Sequence, residues 1–124
     1  MKAVILVAIG GAIGSVLRYL VAIWMKNLYT SEFPWHTFSV NIMGCLLIGF
    51  MFSITLENVT LENLRLFMMV GVLGGFTTYS SFGLETFDLI KQNKFLFASS
   101  YILATNIFGL VAVFCGYSFH KLVS

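Results

Sequence analysis

The chain has few charged residues, one proline and two cysteines, and each scarcity excludes a class of protein. Only 10% of its 124 residues are charged, whereas a typical soluble domain has about 25%. So few charges cannot cover a water-facing surface. We therefore predict an integral membrane protein with a single domain over residues 1–124. The net charge of +2 is carried by scattered basic residues, which gives no indication of nucleic-acid binding.

The cysteines and histidines are too dispersed to predict a disulfide or a metal site. Cys45 and Cys115 lie within separate apolar stretches, with no CxxC motif or His/Cys cluster beside them, so we expect buried free thiols. His36 and His120 stand alone near the ends of apolar stretches. We interpret both histidines as interfacial side chains rather than metal ligands.

Hydrophobic residues make up 59% of the chain and fall into four long runs. These cover residues 3–25, 37–56, 64–90 and 95–119, and about 20 apolar residues suffice to cross a bilayer. Polar connectors at 26–36, 57–63 and 91–94 separate them, and Thr60 with Asn63 is expected to cap the third helix. The fold class predicted is an all-α membrane protein with four transmembrane helices.

The third run is interrupted near its middle, where residues 74–82 read GGFTTYSSF. Lipid offers no hydrogen bonds, so irregular backbone at membrane depth is tolerated only inside protein or beside a water-filled path. Transport proteins use broken helices to direct backbone dipoles at ions. We therefore predict a third helix broken at its centre and a nearby site for a small ion or substrate.

Apart from Arg18, which lies inside the first run, the basic residues are divided equally between the two sides of the predicted bundle. An excess of Lys and Arg in the short loops on one side sets the orientation of a membrane protein. Here each side has three such residues, which predicts that the chain inserts in both orientations. Two oppositely oriented chains would then form an antiparallel homodimer resembling an inverted-repeat transporter. The alternative is that the few charges tie by chance and one residue, such as Arg18, decides orientation. One side holds Lys2, Arg65 and Lys121, and the other holds Lys26, Lys91 and Lys94.

Small residues recur at four-residue spacing in every run, which favours close packing of membrane helices. The pairs are Gly10/Gly14, Cys45/Gly49, Gly71/Gly75 and Ala112/Gly116.

Polar residues inside the runs also fall on shared helix faces. Thr37 and Asn41 are four residues apart, as are Tyr101 and Thr105. An amide in hydrocarbon is costly, so Asn41 either bonds between helices or contributes to a site. Asn106 is turned by about 100° from Thr105 and is interpreted as an interhelical bond. Arg18 either snorkels to the interface or supplies positive potential to a vestibule.

Tyr79, Phe82 and Glu85 follow one another on a single helix face. Aromatic residues at this spacing usually pack against other helices. However, an aromatic ring has a positive edge, and two ring edges could stabilise an anion without trapping it, which conduction requires. Amide, hydroxyl and ring-edge donors together suit a small, hard, strongly hydrated anion.

These motifs resemble those of the Fluc (CrcB-type) fluoride channels, over all four runs. The resemblance is carried by GGAIG at 10–14 followed by Arg18-Tyr19, by TFSVN at 37–41 with Gly44 and Gly49, and most specifically by GGFTTYSSF at 74–82. It departs at Tyr79, where the family usually has Phe. It departs also at His36, where Gly is usual before Thr37, and at Gly109, where some relatives have Ser.

The resemblance implies a passive fluoride channel, not an enzyme, which exports fluoride through two pathways in a dual-topology homodimer of the cell membrane. It implies the pore amide at Asn41 and the aromatic pair at Tyr79 and Phe82. Backbone carbonyls of Gly74 and Thr77 from both chains would hold a structural sodium ion. Further pathway residues implied by position are Thr37, Tyr101, Thr105, Glu85 and Arg18.

Two other functions fit a short four-span chain. A dual-topology, proton-coupled exporter of cationic compounds would use a carboxylate in its first span, but residues 3–25 contain no Asp or Glu. A non-conducting assembly subunit would explain the glycines, but gives no reason for Thr37, Asn41 and Thr105 to align with the aromatic pair.

Overall fold

The computed structural model describes residues 1–56 and 58–123, and the regular structure in these ranges is helical. Four of its helical stretches are long and apolar enough to cross a membrane, which confirms the predicted all-α, multi-pass membrane protein. Glu57, at the start of the predicted second connector, lies outside the described residues. In chain order the elements are α1 (Lys2–Leu28), α2 (Trp35–Leu56), a 3₁₀ turn (Val59–Leu61), α3 (Glu62–Arg65), a π-helix (Leu66–Leu73), α4 (Gly74–Phe76), α5 (Tyr79–Lys91) and α6 (Phe95–Val123).

The third span, Glu62–Lys91, contains the irregular backbone. After α4 the dihedral angles become extended, with φ −78° and ψ 159° at Thr77 and φ −151° and ψ 118° at Thr78. Helix α5 then begins at Tyr79. The span as a whole is bent by 17°, so the chain continues in nearly its original direction past the two extended residues.

Local sequence explains where several helices begin and end. Pro34 precedes α2 and its carbonyl accepts from the Phe38 N–H at 3.1 Å, a position where the missing proline N–H is not needed. Thr78 caps α5 by accepting from the Ser81 N–H at 3.2 Å. Helix α3 has Leu61 as its N-cap and no side-chain cap bond, so the cap predicted from Thr60 is wrong.

A left-handed asparagine joins α5 to α6. Asn93 has φ 58°, a conformation that asparagine tolerates better than most residues. The Lys94 N–H donates to the Leu89 carbonyl at 2.9 Å, and the Asn93 N–H donates to the Ile90 carbonyl at 2.9 Å. This is a Schellman motif, and it satisfies carbonyls at the end of α5 within a very short connector.

Glycines bring the helices together in two tight pairs. A Cβ atom on Gly14 of α1 would overlap the carbonyl oxygen of Val72 in the π-helix, and a Cβ atom on Gly116 of α6 would overlap the carbonyl oxygen of Leu46 in α2. Helix α1 therefore packs on the third span, and α2 packs on α6, with almost no side chain between the backbones. The predicted role of the small residues in close packing is confirmed.

A single chain leaves much of its apolar surface exposed. The buried core is small and centres on Phe82, Leu89, Ala98 and Tyr101, whereas large apolar side chains along α1 and α6 are exposed. Both cysteines are free, but Cys115 is exposed in the chain, so the prediction of a buried thiol is wrong there. This surface is suited to lipid or to another protein chain.

Candidate functional site

Asn41 of α2 holds the extended residue Thr78 by both of its backbone polar groups. The amide nitrogen donates to the Thr78 carbonyl at 3.1 Å, and the amide oxygen accepts from the Thr78 N–H at 2.9 Å. In an uninterrupted α-helix that N–H would donate to the carbonyl of Gly74, four residues earlier. The Asn41 amide thus replaces the helical hydrogen bond that the interruption removes.

The backbone oxygens beside the interruption suit a hard cation. The Gly74 carbonyl loses its usual helical donor, because the Thr78 N–H bonds to Asn41. The Thr77 carbonyl accepts from the Arg18 guanidinium at 3.1 Å and keeps a second lone pair. No cluster of three His, Cys, Asp or Glu residues that could hold a metal occurs in the described ranges. A cation here would be bound by carbonyls rather than by such side chains.

A groove beside the interruption collects four of the predicted anion-pathway residues. Its volume is about 300 Å³, and Asn41, Tyr79, Phe82 and Thr105 all line it. No Asp, Glu, Lys, Arg or His is among its lining residues. The groove therefore offers amide, hydroxyl and ring-edge groups in largely apolar surroundings, without a fixed charge.

The two aromatic residues of the groove differ in their surroundings. The ring centroids of Tyr79 and Phe82 lie 5.5 Å apart, with planes inclined by 47°. Phe82 is buried, with its ring edge-on to Tyr101 at 5.0 Å, whereas Tyr79 is 84% exposed. Phe82 is therefore fixed by the core, and Tyr79 projects from the chain.

Thr105 has a buried polar atom without a hydrogen-bond partner among the residues that the structure describes. Its hydroxyl oxygen is buried and makes no hydrogen bond with any described residue, and the side chain lines the groove. A buried hydroxyl normally has a partner, so this atom is available to a ligand. Asn106, also in the groove, donates to the Ile102 carbonyl of its own helix at 2.7 Å. The predicted interhelical bond of Asn106 is wrong.

Two of the remaining predicted residues, Thr37 and Tyr101, bond to the Glu85 carboxylate. Thr37 donates to Oε1 at 2.7 Å, and Tyr101 donates to Oε2 at 2.8 Å. Thr37 and Glu85 line a second cavity of about 350 Å³, which Arg18 also lines. Tyr101 is fully buried and is not among the lining residues of either cavity. It supports Phe82 and Glu85 instead.

Two residues that were not predicted as site residues, Thr78 and His36, contact the predicted ones. Thr78 is the N-cap of α5 and the partner of Asn41. His36 lies 3.0 Å from Glu85, although it was interpreted as an interfacial side chain. The sequence signal for His36 is its position next to Thr37. Both residues lie at the start of α2, and both contact Glu85 Oε1.

Comparison with known proteins identifies the family. Residues 5–117 match the family described as CrcB-like protein, Camphor Resistance (CrcB). The chain belongs to the CrcB family. Its relatives include a protein named Fluoride-specific ion channel FluC from Helicobacter pylori (strain J99 / ATCC 700824), 47% identical over 116 residues that cover 92% of this chain and 89% of the relative.

Other CrcB relatives carry the same name. The Helicobacter acinonychis (strain Sheeba) protein is 46% identical over 116 residues, covering 92% of this chain and 91% of the relative. The Agrobacterium fabrum (strain C58 / ATCC 33970) protein is 47% identical over 113 residues, covering 90% of each. These names describe an ion channel and not an enzyme, and the resemblance read from the sequence motifs is confirmed.

Proposed function

We propose that this CrcB chain is a fluoride-selective channel that lets fluoride leave the cytoplasm passively. The observation that carries the proposal is the groove lined by Asn41, Tyr79, Phe82 and Thr105, which has donors and ring edges but no charged side chain. Fixed positive charge would bind an anion tightly, and conduction requires weaker stabilisation. The names of the FluC relatives support fluoride as the ion.

In this proposal the anion exchanges its water shell for side-chain donors in two steps. The cavity beside Arg18 and Glu85 would receive the hydrated anion, and the groove would then supply ring edges from Tyr79 and Phe82. The unpartnered hydroxyl of Thr105 would donate to the ion there. The Asn41 amide would keep the Thr78 peptide in position at the junction of the two spaces.

The working unit in this proposal is an antiparallel homodimer with two pathways. The groove is open on one chain, and Tyr79 is 84% exposed beside it, so a second chain would complete its wall. The tied count of basic residues supports insertion in both orientations. A two-fold axis in the membrane plane would bring the two interrupted spans together, as in inverted-repeat transporters.

A structural sodium ion fits the same arrangement. Gly74 and Thr77 would hold the ion through their backbone carbonyls, one pair from each chain, and the ion would supply positive charge that neutralises oxygens otherwise facing one another. The Gly74 carbonyl lacks its helical donor, and Gly74 is exposed on the single chain. The interruption of the third span would serve this ion as well as the anion.

The deciding experiment is ion efflux from liposomes that contain the purified protein. We expect rapid loss of fluoride and retention of chloride, with no need for a proton gradient. Liposomes without protein give the background leak. Equal efflux of the two anions, or no efflux of either, would contradict the proposal. Movement of organic cations driven by a proton gradient would instead support the exporter.

A further inference from the structure

His36 is a fourth member of the group around Glu85. Its Nε2 atom lies 3.0 Å from Glu85 Oε1, and each side chain is 23% exposed. Thr37 donates to the same oxygen, and Tyr101 donates to the other. The imidazole therefore contacts the one carboxylate of the predicted pathway and remains reachable by water.

The His36–Glu85 pair lies in the walls of two polar cavities. Both residues line the cavity of about 350 Å³ beside Arg18, and both line another of about 310 Å³ near the α1–α2 connector. An anion held in either cavity therefore lies close to the pair. The walls also carry the phenols of Tyr19 and Tyr29.

Several charged groups face the pair from the elements packed around it. They are Arg18 and Lys26 from α1, Glu32 from the α1–α2 connector, Asp88 from α5, and Lys94 from the α5–α6 connector.

Histidine is the residue type that most often serves as a charge switch in proteins, and His36 lines both cavities. Lys94 and Glu32 pair with each other at 2.9 Å, which leaves Arg18 and Lys26 as the cations facing the pair from α1. With a neutral imidazole, the His36–Glu85 pair is negative and repels an anion drawn to those cations. Protonation of His36 brings the charge of the pair to zero.

We propose that His36 is a positioning residue for the transported anion: in its protonated form it offsets the Glu85 carboxylate and raises anion entry into the cavity beside Arg18 and Lys26. The inference rests on the proposed channel function. It assigns a role to one of the three residues at which this chain departs from the motifs of the resemblance. It also predicts faster transport in acid, because the protonated imidazole offsets the charge of Glu85.

Fluoride efflux from liposomes at about pH 8, 7 and 6, with the leak of protein-free liposomes subtracted, tests this inference. For the unchanged protein we expect flux to rise about three- to tenfold from pH 8 to pH 6, near the lower end of the effect of charge on ion capture by a cleft. His36→Gln keeps a hydrogen-bond donor without the charge change, so its profile should be flat. His36→Lys should give a flat profile at a raised flux.

His120 supplies the matched control. It is the other histidine of the chain, and its Nδ1 atom lies 3.0 Å from the Ser53 hydroxyl, outside the lining of both cavities. His120→Gln should keep the rise in flux with acid. Gel filtration confirms that each variant is folded, and His36→Asn replaces His36→Gln if the latter does not fold.

Three outcomes would overturn the inference in distinguishable ways. Identical pH profiles for the unchanged protein and His36→Gln would overturn it while leaving the channel in place. A fall in His36→Gln flux by the same factor at every pH would also overturn the inference and leave the channel in place, because that result indicates that His36 has a purely structural role. Absence of fluoride flux at every pH in the unchanged protein would overturn the proposed function, and the inference with it.

Discussion

At the scale of single residues, the site is organised by one amide and one peptide unit. The cost of an amide in hydrocarbon singled out Asn41 from the sequence, and it left open whether the side chain bonds to another helix or serves a site. In the structure Asn41 bonds to Thr78 and also lines the groove. Its partner lies 37 residues later in the chain, so residue spacing could not identify it.

Removal of the Asn41 amide should therefore impair transport more than removal of the other amide in the groove. Asn41→Ala loses two hydrogen bonds, each worth about 1 kcal/mol, and leaves the Thr78 peptide unsatisfied. We expect fluoride flux to fall at least about tenfold, the change that about 1.4 kcal/mol produces. Asn106→Ala loses only a bond to its own helix and should keep most of the flux. Equal losses in liposome efflux would contradict this role of Asn41.

At the scale of the helices, close approach could be predicted but backbone register could not. Small residues four apart indicated contact faces, and Gly14 and Gly116 do meet backbone of neighbouring helices. No pattern in the sequence predicted the π-helical stretch Leu66–Leu73, on which the backbone of α1 packs closely at Gly10 and Gly14. The two extended residues lie inside the GGFTTYSSF segment, where glycine and hydroxyl residues favour irregular structure.

Two glycines of α1 provide a matched test of this packing. Gly14→Ala places a methyl group against the Val72 carbonyl and the Phe76 nitrogen, and overpacking of this kind costs about 1–3 kcal/mol. Gly11→Ala meets no atom within 4 Å in the chain and should stabilise the helix by about 0.5–1 kcal/mol. Thermal unfolding in detergent, followed by gel filtration, should rank Gly14→Ala lowest. A stability ranking with Gly11→Ala lowest would show that the contacts of α1 differ from those described.

At the scale of the whole molecule, the single chain leaves its candidate site open. The charge count predicts two orientations, and the open groove beside the exposed Tyr79 is suited to contact with a second chain. Composition and hydropathy were sufficient to predict four spans, because the bilayer fixes their length. Composition and hydropathy do not indicate which helix faces contact one another, because a helix face that contacts lipid and one that contacts protein are equally apolar.

Fixing the orientation of the chain should abolish transport if two opposite copies are required. Asn58→Lys with Thr60→Lys adds positive charge to one side, and Asn27→Lys with Gln92→Lys adds it to the other. We expect each double variant alone to insert one way and give no fluoride flux in cells. Expression of the two together should restore it. Flux from either variant alone, with reporter fusions proving a single orientation, would exclude the antiparallel pair.

The π-helical stretch Leu66–Leu73 has a consequence for how this protein is aligned with its relatives. A π-turn closes its hydrogen bond one residue later than an α-turn, so the third span contains more residues than its height requires. A relative with a regular α-helix here would reach the double glycine at the same depth with one residue fewer. An alignment with such a relative should therefore open a one-residue gap before Gly74, rather than shift the positions that follow it.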